Sequence, residues 1–303
     1  MSTSIGFIGL GAIGAPMAHR VLQSGGRPLV VHNRTASRMQ PLVDAGALPA
    51  ASPREVGERC DVVLTCVTDG AALEQVLFGA GADGRGLTDA ARPGLLLIDL
   101  STIHPEQTRA LAQRARQAAG VRWVDAPVSG GPVGAAAGTL AVMAGGEADD
   151  VAQARPVLAT FASQVTHMGP VGCGQATKAC NQMINVANSA AIAEAMNLAS
   201  RYGIDPRLLP VALAGGFADS GFLRHYGPKI AEGSFAGDTR ITLKDLDIVL
   251  DLAARTGTAL PVIGLIASMY RLLAARGHVH DGVAGLARLY AEPGFPREGG
   301  GAG

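Results

Sequence analysis

A glycine-rich segment near the amino terminus has the spacing of a turn that could bind a dinucleotide. Gly9 directly follows a short β-rich run, Ile5–Ile8. Gly11 and Gly14 lie at the start of a helical stretch, Ala12–Gln23. In a strand–turn–helix unit, the first glycine makes the tight turn, the second lets the backbone approach a pyrophosphate, and the third allows close helix–strand packing. The residues expected to contact the dinucleotide are Gly9, Leu10, Gly11, Ala12, Ile13 and Gly14.

The end of the second predicted strand, Pro28–His32, bears on which dinucleotide binds. An NAD site usually has Asp or Glu there, about 20 residues beyond the turn, to accept a hydrogen bond from the ribose 2′-hydroxyl. This chain instead has Asn33, Arg34 and Thr35. Asn33 lacks the carboxylate that would repel a 2′-phosphate, Arg34 offers a planar cation with two donors, and Thr35 adds a hydroxyl. The segment favours NADP over NAD; an Arg34 that points into solvent is the alternative.

A second group of residues could hold an anion at the same sheet. Ser129, Gly130 and Gly131 come just after the predicted strand Arg122–Asp125. Ligands of α/β folds gather at the carboxyl ends of the strands. Two glycines expose consecutive backbone N–H groups and Ser129 adds a hydroxyl, which together make a small anion-binding concavity. An ordinary glycine turn is the alternative reading of this segment.

Three polar residues share one face of a long predicted helix, Ala176–Tyr202. Lys178, Asn181 and Gln182 stand at positions i, i+3 and i+4 of a helix that is otherwise rich in Ala, Val, Ile and Met. Such a group must face either water or a cavity. The chain has three lysines, at positions 178, 229 and 244, and this scarcity favours a specific role for Lys178 over that of a solvated helix lysine.

The elements that position these residues fall into two series. From Ser4 to about Val165, β-rich runs alternate with helical stretches, which predicts a parallel sheet covered on both faces. The predicted strands are Ile5–Ile8, Pro28–His32, Asp61–Cys66, Leu95–Asp99, Arg122–Asp125, Thr139–Ala144 and Gln164–His167. The helices between them are Ala12–Gln23, Ser37–Ala45, Gly70–Phe78, Pro105–Ala119 and Asp149–Phe161.

After Gly174 the pattern becomes helical throughout. The predicted helices are Ala176–Tyr202, Pro206–Ala214, Gly221–Ala231, Thr242–Arg255 and Pro261–Arg276. We therefore predict an α/β fold, in which an N-terminal Rossmann doubly wound sheet is followed by an all-α C-terminal domain joined by a long helix. The predicted boundaries are an NADP-binding domain over 1–168, an all-α substrate and oligomerisation domain over 169–292, and a disordered Gly-rich tail over 293–303.

Composition excludes several classes of function. Lys and Arg number 25, as do Asp and Glu, so the net charge is zero, which argues against nucleic-acid and anionic-membrane partners. The four cysteines form no CxxC pair and no histidine stands at zinc-ligand spacing, so we predict no metal site. No apolar run approaches the roughly 18 residues of a membrane span, and the amino terminus lacks the features of a signal peptide. We expect a soluble cytoplasmic protein.

Four separated motifs, in order, resemble the β-hydroxyacid dehydrogenase family, which includes 3-hydroxyisobutyrate dehydrogenase, tartronate semialdehyde reductase and the glyoxylate/succinic semialdehyde reductases. The resemblance spans residues 4 to about 290. The motifs are Phe7–Gly11 with Pro16-Met17, Asp125–Gly131 with Gly138–Leu140, Gly172–Gly174 with Lys178 and Asn181-Gln182, and Lys244–Leu246.

The resemblance implies hydride transfer between NADP(H) and a small β-hydroxy acid or its semialdehyde. By carry-over, Lys178 is the general acid/base, Asn181 orients Lys178 or the substrate, and Ser129-Gly130-Gly131 holds the substrate carboxylate. It further implies that Ser220 approaches the substrate from the all-α domain, and that Lys244 lies beside the cofactor. The remaining implied cofactor contacts are Val67, Thr68 and Thr102, although position 68 is often Pro in the family.

Two other functions fit parts of the pattern. An imine reductase would share the fold, but such enzymes generally have Asp or Tyr in place of Lys178. An NADP-binding protein without turnover is the alternative from another class, and the presence of Lys178 argues against it. The small residues of the helix Ala176–Tyr202 and the analogy with the family predict a homodimer or homotetramer. The identity of the acid and the choice between strict NADP and dual cofactor use stay open.

Overall fold

The computed structural model describes residues 4–79 and 85–291. The chain divides into two compact units, residues 1–178 and residues 179–303. The tail predicted to be disordered, 293–303, lies outside the described residues.

The first unit is built on one sheet, in which the described residues form nine strands in the order β3-β2-β1-β4-β5-β6-β8-β7, with β9 paired to β8. Strands β1 to β6 are parallel where they pair, and the strand order reverses at β1, which pairs with both β2 and β4. The strands are β1 Ile5–Ile8, β2 Leu29–His32, β3 Leu48–Pro49, β4 Val62–Thr65, β5 Leu96–Asp99, β6 Arg122–Asp125, β7 Val128–Ser129, β8 Leu140–Gly146 and β9 Ala162–Gly169.

Both faces of this sheet are covered. Consecutive strand residues point to opposite faces, so Phe7 packs into one apolar core and Ile8 into the other. The single tryptophan, Trp123, is buried in the second core, as expected of a packing residue. The first unit's complete helices are α1 Gly14–Gln23, α2 Gln40–Asp44, α3 Pro53–Arg59, α4 Gly70–Phe78, α5 Pro105–Ala119, α6 Gly131–Ala137 and α7 Ala148–Leu158. These layers confirm the predicted doubly wound fold.

The prediction of a parallel sheet is confirmed for β1 to β6, and one edge of the sheet departs from it. Strand β8 runs antiparallel to both β6 and β7. The alternation of strands and helices along a sequence gives the number of elements but not the direction in which each strand enters the sheet. The two-residue strand β7 and the helix α6 were also missed, because Gly131, Pro132 and Gly134 resemble a loop in sequence.

The second unit is helical. The 30-residue helix α8, Cys173–Tyr202, begins in the first unit and supplies Val186 to a core that also contains Leu246, Ile266 and Tyr270. No helix among residues 4–79 and 85–291 is both long enough and apolar enough to cross a membrane. The further helices are α9 Leu209–Ala212, α10 Gly221–Ala231, α11 Thr239–Thr256, α12 Pro261–Ala275 and α13 Arg288–Ala291.

Candidate active site

The glycine-rich turn between β1 and α1 has the geometry that its sequence predicts. Gly9 has a φ of 100°, and a Cβ there would lie 2.2 Å from the carbonyl oxygen of Cys66. A Cβ on Gly14 would lie 2.0 Å from the Gly9 carbonyl oxygen, which shows how closely helix and turn pack. In contrast, a Cβ on Gly11 would meet no atom within 4 Å. The turn thus needs glycine for its shape at Gly9 and Gly14, and Gly11 leaves open space where a pyrophosphate would approach the backbone.

The segment after β2 lies against this turn. The Asn33 Oδ1 accepts a hydrogen bond from the Leu10 N–H at 2.9 Å, and the Asn33 Nδ2 donates to the Thr35 carbonyl at 2.9 Å. Asn33 therefore fixes the turn, a role that the sequence did not reveal. Arg34 and Thr35 are exposed. Because β1 and β2 are paired up to Ile8 and His32, both segments leave the sheet at the same edge.

The loops after β4 and β5 are joined to each other. The Val67 N–H donates to the Ser101 hydroxyl at 2.9 Å, and the Ser101 N–H donates to the Asp99 carboxylate at 3.1 Å. The Thr65 hydroxyl donates to the same Asp99 oxygen at 2.9 Å. Parallel strands place their carboxyl ends at one edge of the sheet. The predicted cofactor contacts Val67, Thr68 and Thr102 accordingly follow neighbouring strands at the edge where the glycine-rich turn lies.

The predicted anion-binding segment lies at the end of β7. Ser129 pairs with Ala141 of β8, and the chain then turns directly into helix α6. Gly130 and Gly131 have φ values of 128° and 64°, in the region that favours glycine. The two glycines thus allow a sharp change from strand to helix. The first N–H groups of α6 come directly after Ser129 in the chain.

Lys178 lies near the start of helix α8 and is only 8% exposed. The first turn of this helix is bound to the sheet by Asp125, the last residue of β6. Its two oxygens accept hydrogen bonds from the N–H groups of Gly172 and Gln175, at 2.8 and 2.9 Å. Burial raises the pKa of the Asp125 carboxyl to about 7, against the lowering effect of these N–H groups, and the nearby Asp99 adds to the rise.

The Gln175 side chain reaches the loop after β5. Its Nε2 donates to the Ser101 carbonyl at 2.7 Å, and its Oε1 accepts from the Ile103 N–H at 3.2 Å. Gln175 is 1% exposed. The helix that carries Lys178 is therefore hydrogen-bonded to the loop that contains Thr102.

In the second unit, Asn181 and Lys244 belong to one polar cluster. The Asn181 Nδ2 donates to the Gln182 Oε1 at 2.9 Å, and the Gln182 Nε2 donates to the buried Asp245 carboxylate at 2.5 Å. The Lys244 Nζ lies 3.2 Å from the other Asp245 oxygen. The Ser220 hydroxyl caps helix α10 by accepting a hydrogen bond from the Leu223 N–H at 3.0 Å.

Comparison with known proteins covers both units. Residues 4–169 match the family described as the NAD binding domain of 6-phosphogluconate dehydrogenase, and residues 172–290 match that described as NAD-binding of NADP-dependent 3-hydroxyisobutyrate dehydrogenase. The 2-hydroxy-3-oxopropionate reductase of Escherichia coli is 34% identical over 279 residues, which are 90% of this chain and 92% of that protein.

The chain belongs to the β-hydroxyacid dehydrogenase family.

Solved structures of similar proteins agree with this assignment. The 3-hydroxyisobutyrate dehydrogenase of Mycobacterium tuberculosis, solved with L-serine, is 31% identical and superposes with a TM-score of 0.83 over 96% of this chain and 100% of the other. Psf3, in complex with NADP+ and 2-OPP, has 25% identity and a TM-score of 0.83 over 94% of this chain and 99% of the other. The protein is thus an NAD(P)-dependent hydroxyacid dehydrogenase.

Several residues that shape the site of this dehydrogenase were missed in the sequence. Ser101, Asp99 and Gln175 each join two segments at the sheet edge, and Asp125 binds the start of α8, a contact that its place in the motif Asp125–Gly131 did not reveal. A glutamine in the first turn of an apolar helix is a signal that could have been noticed. The partners of Gln175 lie more than 70 residues away in the chain, so no local pattern could have named them.

Proposed function

We propose that this dehydrogenase transfers a hydride between NADP(H) and a small β-hydroxy acid or its semialdehyde, with Lys178 as the general acid/base. One observation carries the proposal. Lys178 is a buried lysine on a helix whose first turn is hydrogen-bonded to the carboxyl ends of β5 and β6. The glycine-rich turn leaves the sheet at that same edge, as expected where ligands of α/β sheets bind.

The proposed site residues of the first unit have distinct tasks in this reaction. NADPH, when bound, supplies the hydride to the carbonyl carbon. The Lys178 ammonium donates a proton to the carbonyl oxygen during reduction, and the amine takes it back during oxidation. The positive charge also stabilises the negative charge that develops on this oxygen. The Ser129 hydroxyl and the N–H groups of Gly130 and Gly131 hold the substrate carboxylate.

The preference for NADP is proposed from the segment after β2. Asn33 is uncharged and its side chain is engaged by the glycine-rich turn. The neighbouring exposed Arg34 and Thr35 are then the donors for a 2′-phosphate. The NADP+ complex of the similar protein Psf3 is consistent with this choice.

Three residues of the second unit have proposed roles that the resemblance to the family implies. Asn181 orients the substrate, Lys244 contributes a positive charge toward the cofactor, and Ser220 contacts the substrate. Lys244 pairs with the buried Asp245, while Asp247 pairs with Arg271 and Asp251 pairs with Arg255.

A homodimer or homotetramer is proposed from the surface of helix α8. Ile184, Leu198 and Tyr202 are 63%, 69% and 83% exposed, and they lie along one face of the helix with the exposed Ala191 and Ala195. A long apolar face of small and large residues favours packing against a copy of itself.

The test is a steady-state screen with NADPH and NADH against glyoxylate, succinic semialdehyde, tartronate semialdehyde, 3-hydroxyisobutyrate and L-serine. Lys178→Ala should lower kcat about 10²- to 10⁴-fold for any substrate that turns over, while the Kd of NADPH stays unchanged. Lys229→Ala, at an exposed lysine that bonds His225, is the matched control and should keep full activity. Full activity of Lys178→Ala would refute the assigned role, and cofactor binding without turnover of any of these compounds by the wild type would refute the proposed substrate class.

A further inference from the structure

We infer that Asp125 and Gln175 are positioning residues that set where the Lys178 ammonium lies at the carboxyl edge of the sheet. The inference deepens the proposed function, because it rests on the role given there to Lys178. Neither residue is placed against substrate or cofactor; both act through the helix that carries the lysine.

Asp125 caps helix α8 from a different element. The first N–H groups of a helix have no partner within it. Here the chain enters the helix through Gly172-Cys173-Gly174, which has no side chain of a type that usually caps a helix. The Asp125 carboxylate instead accepts from two of these N–H groups. A Cβ on Gly174 would lie 2.8 Å from an Asp125 oxygen and 2.5 Å from its backbone oxygen, so glycine is what lets strand and helix approach.

Gln175 joins the same turn to the loop after β5. Its side-chain amide donates to the Ser101 carbonyl and accepts from the Ile103 N–H, and both of these groups belong to that loop. The Ser101 hydroxyl in turn accepts from Val67 of the loop after β4. Lys178 lies three residues beyond Gln175, on the same side of the helix. A displacement of this first turn would therefore move the lysine relative to the loops that carry Val67 and Thr102.

Two substitutions distinguish an effect on the position of Lys178 from an effect on the folding of the chain. Gln175→Met keeps most of the volume of the side chain and removes both hydrogen bonds, without touching Lys178 or the glycine-rich turn. Asp150→Asn is the matched control: Asp150 is a buried carboxylate that pairs with Arg122, at the opposite end of β6 from Asp125.

The first experiment measures lysine acetylation by mass spectrometry and needs no substrate. The chain has only three lysines, so the acetylation of each can be measured separately. The exposed Lys229 serves as the internal reference. We expect Lys178 to be acetylated several times faster in Gln175→Met than in the wild type, with Lys229 unchanged. Asp150→Asn should leave the Lys178 rate at the wild-type value. Should Gln175→Met not fold, Asp125→Asn provides the second variant with the same expectation.

The second experiment measures kcat, KM and the Kd of NADPH for the same variants. A displacement of about 1 Å can lower turnover on the order of 100-fold, so Gln175→Met should lose kcat about 10- to 100-fold while the Kd of NADPH is unchanged. Asp150→Asn should lose only stability. The inference is overturned if folded Gln175→Met is acetylated at Lys178 at the wild-type rate. It is also overturned if Gln175→Met has the wild-type kcat on a substrate that the wild type turns over. Faster Lys178 acetylation in a protein that turns over no hydroxy acid would refute the proposed function while supporting the positioning role.

Discussion

The buried carboxylate of Asp125 makes the stability of the first unit depend on pH in a predictable direction. Burial raises its pKa from 3.8 to about 7, even though the N–H groups of Gly172 and Gln175 favour the ionised form. The unfolded chain releases this proton near pH 4, whereas the folded chain keeps it up to about pH 7. Between these values the folded state holds more protons than the unfolded state, so the free energy of unfolding falls as the pH rises.

The size of the effect follows from the shift. Each pKa unit corresponds to about 1.4 kcal/mol. A rise from 3.8 to about 7 therefore gives about 4 kcal/mol of stability that is fully present below pH 4 and lost as the pH rises through 7. Asp125→Asn has no such proton, so the difference in unfolding free energy between wild type and variant should fall by about 2 kcal/mol between pH 5 and pH 7 and level off above about pH 8.

The assay is urea unfolding of both proteins at a series of pH values, followed by the fluorescence of Trp123. This is the only tryptophan of the chain and lies two residues before Asp125 on β6, so its signal reports on the first unit. Other titrating groups cancel in the difference between the two proteins. A difference that does not change with pH would refute the reasoning. A difference that grows with pH would mean that the two N–H donors outweigh the burial of the carboxylate.

Three further outcomes are expected. Arg34→Asp should raise the Kd of NADPH about tenfold or more and change that of NADH far less, as measured by fluorescence titration; equal changes would contradict a 2′-phosphate contact. Asn33→Ala should weaken both cofactors alike, because it removes the hydrogen bond to Leu10 in the turn that both would share. Leu198→Asp should shift an oligomer toward monomer in light scattering, and a wild-type protein that is already monomeric would remove the basis for the proposed assembly.

Much of the fold could be predicted because its elements carry local signals. The predicted bounds of β1, β6, α4, α5 and α10 are those of the structure. Helix α4 is capped by the Asp69 side chain, and α5 begins at Pro105 and ends at Gly120 in the left-handed conformation. Helix α3 was missed although Ser52 caps it and Pro53 starts it, since seven residues give too short a periodic pattern.

The site was predictable to a smaller extent. The glycine-rich turn was found because its function depends on residues that are adjacent in sequence. The start of α8 was placed at Ala176, three residues too late, because Gly172 and Gly174 are poor helix residues when considered locally. Their position in the structure depends on the carboxylate of Asp125, which lies about 50 residues earlier. Such a contact follows from the sheet topology, and that topology was itself only partly given by the pattern.

Asn33 and Gln175 solve the same physical problem at two places along one sheet edge. Each joins two backbone segments by donating to a carbonyl oxygen and accepting from an N–H group. A carboxylate could only accept and a lysine could only donate, so an amide is the side chain that satisfies both partners at once. An Asp at position 33 would set one carboxylate oxygen against the Thr35 carbonyl oxygen. The two oxygens would repel each other, and the hydrogen bond that Asn33 donates there would be lost. This constraint is why the proposed discrimination between cofactors falls to the exposed Arg34 and not to the residue that ends the strand in NAD sites.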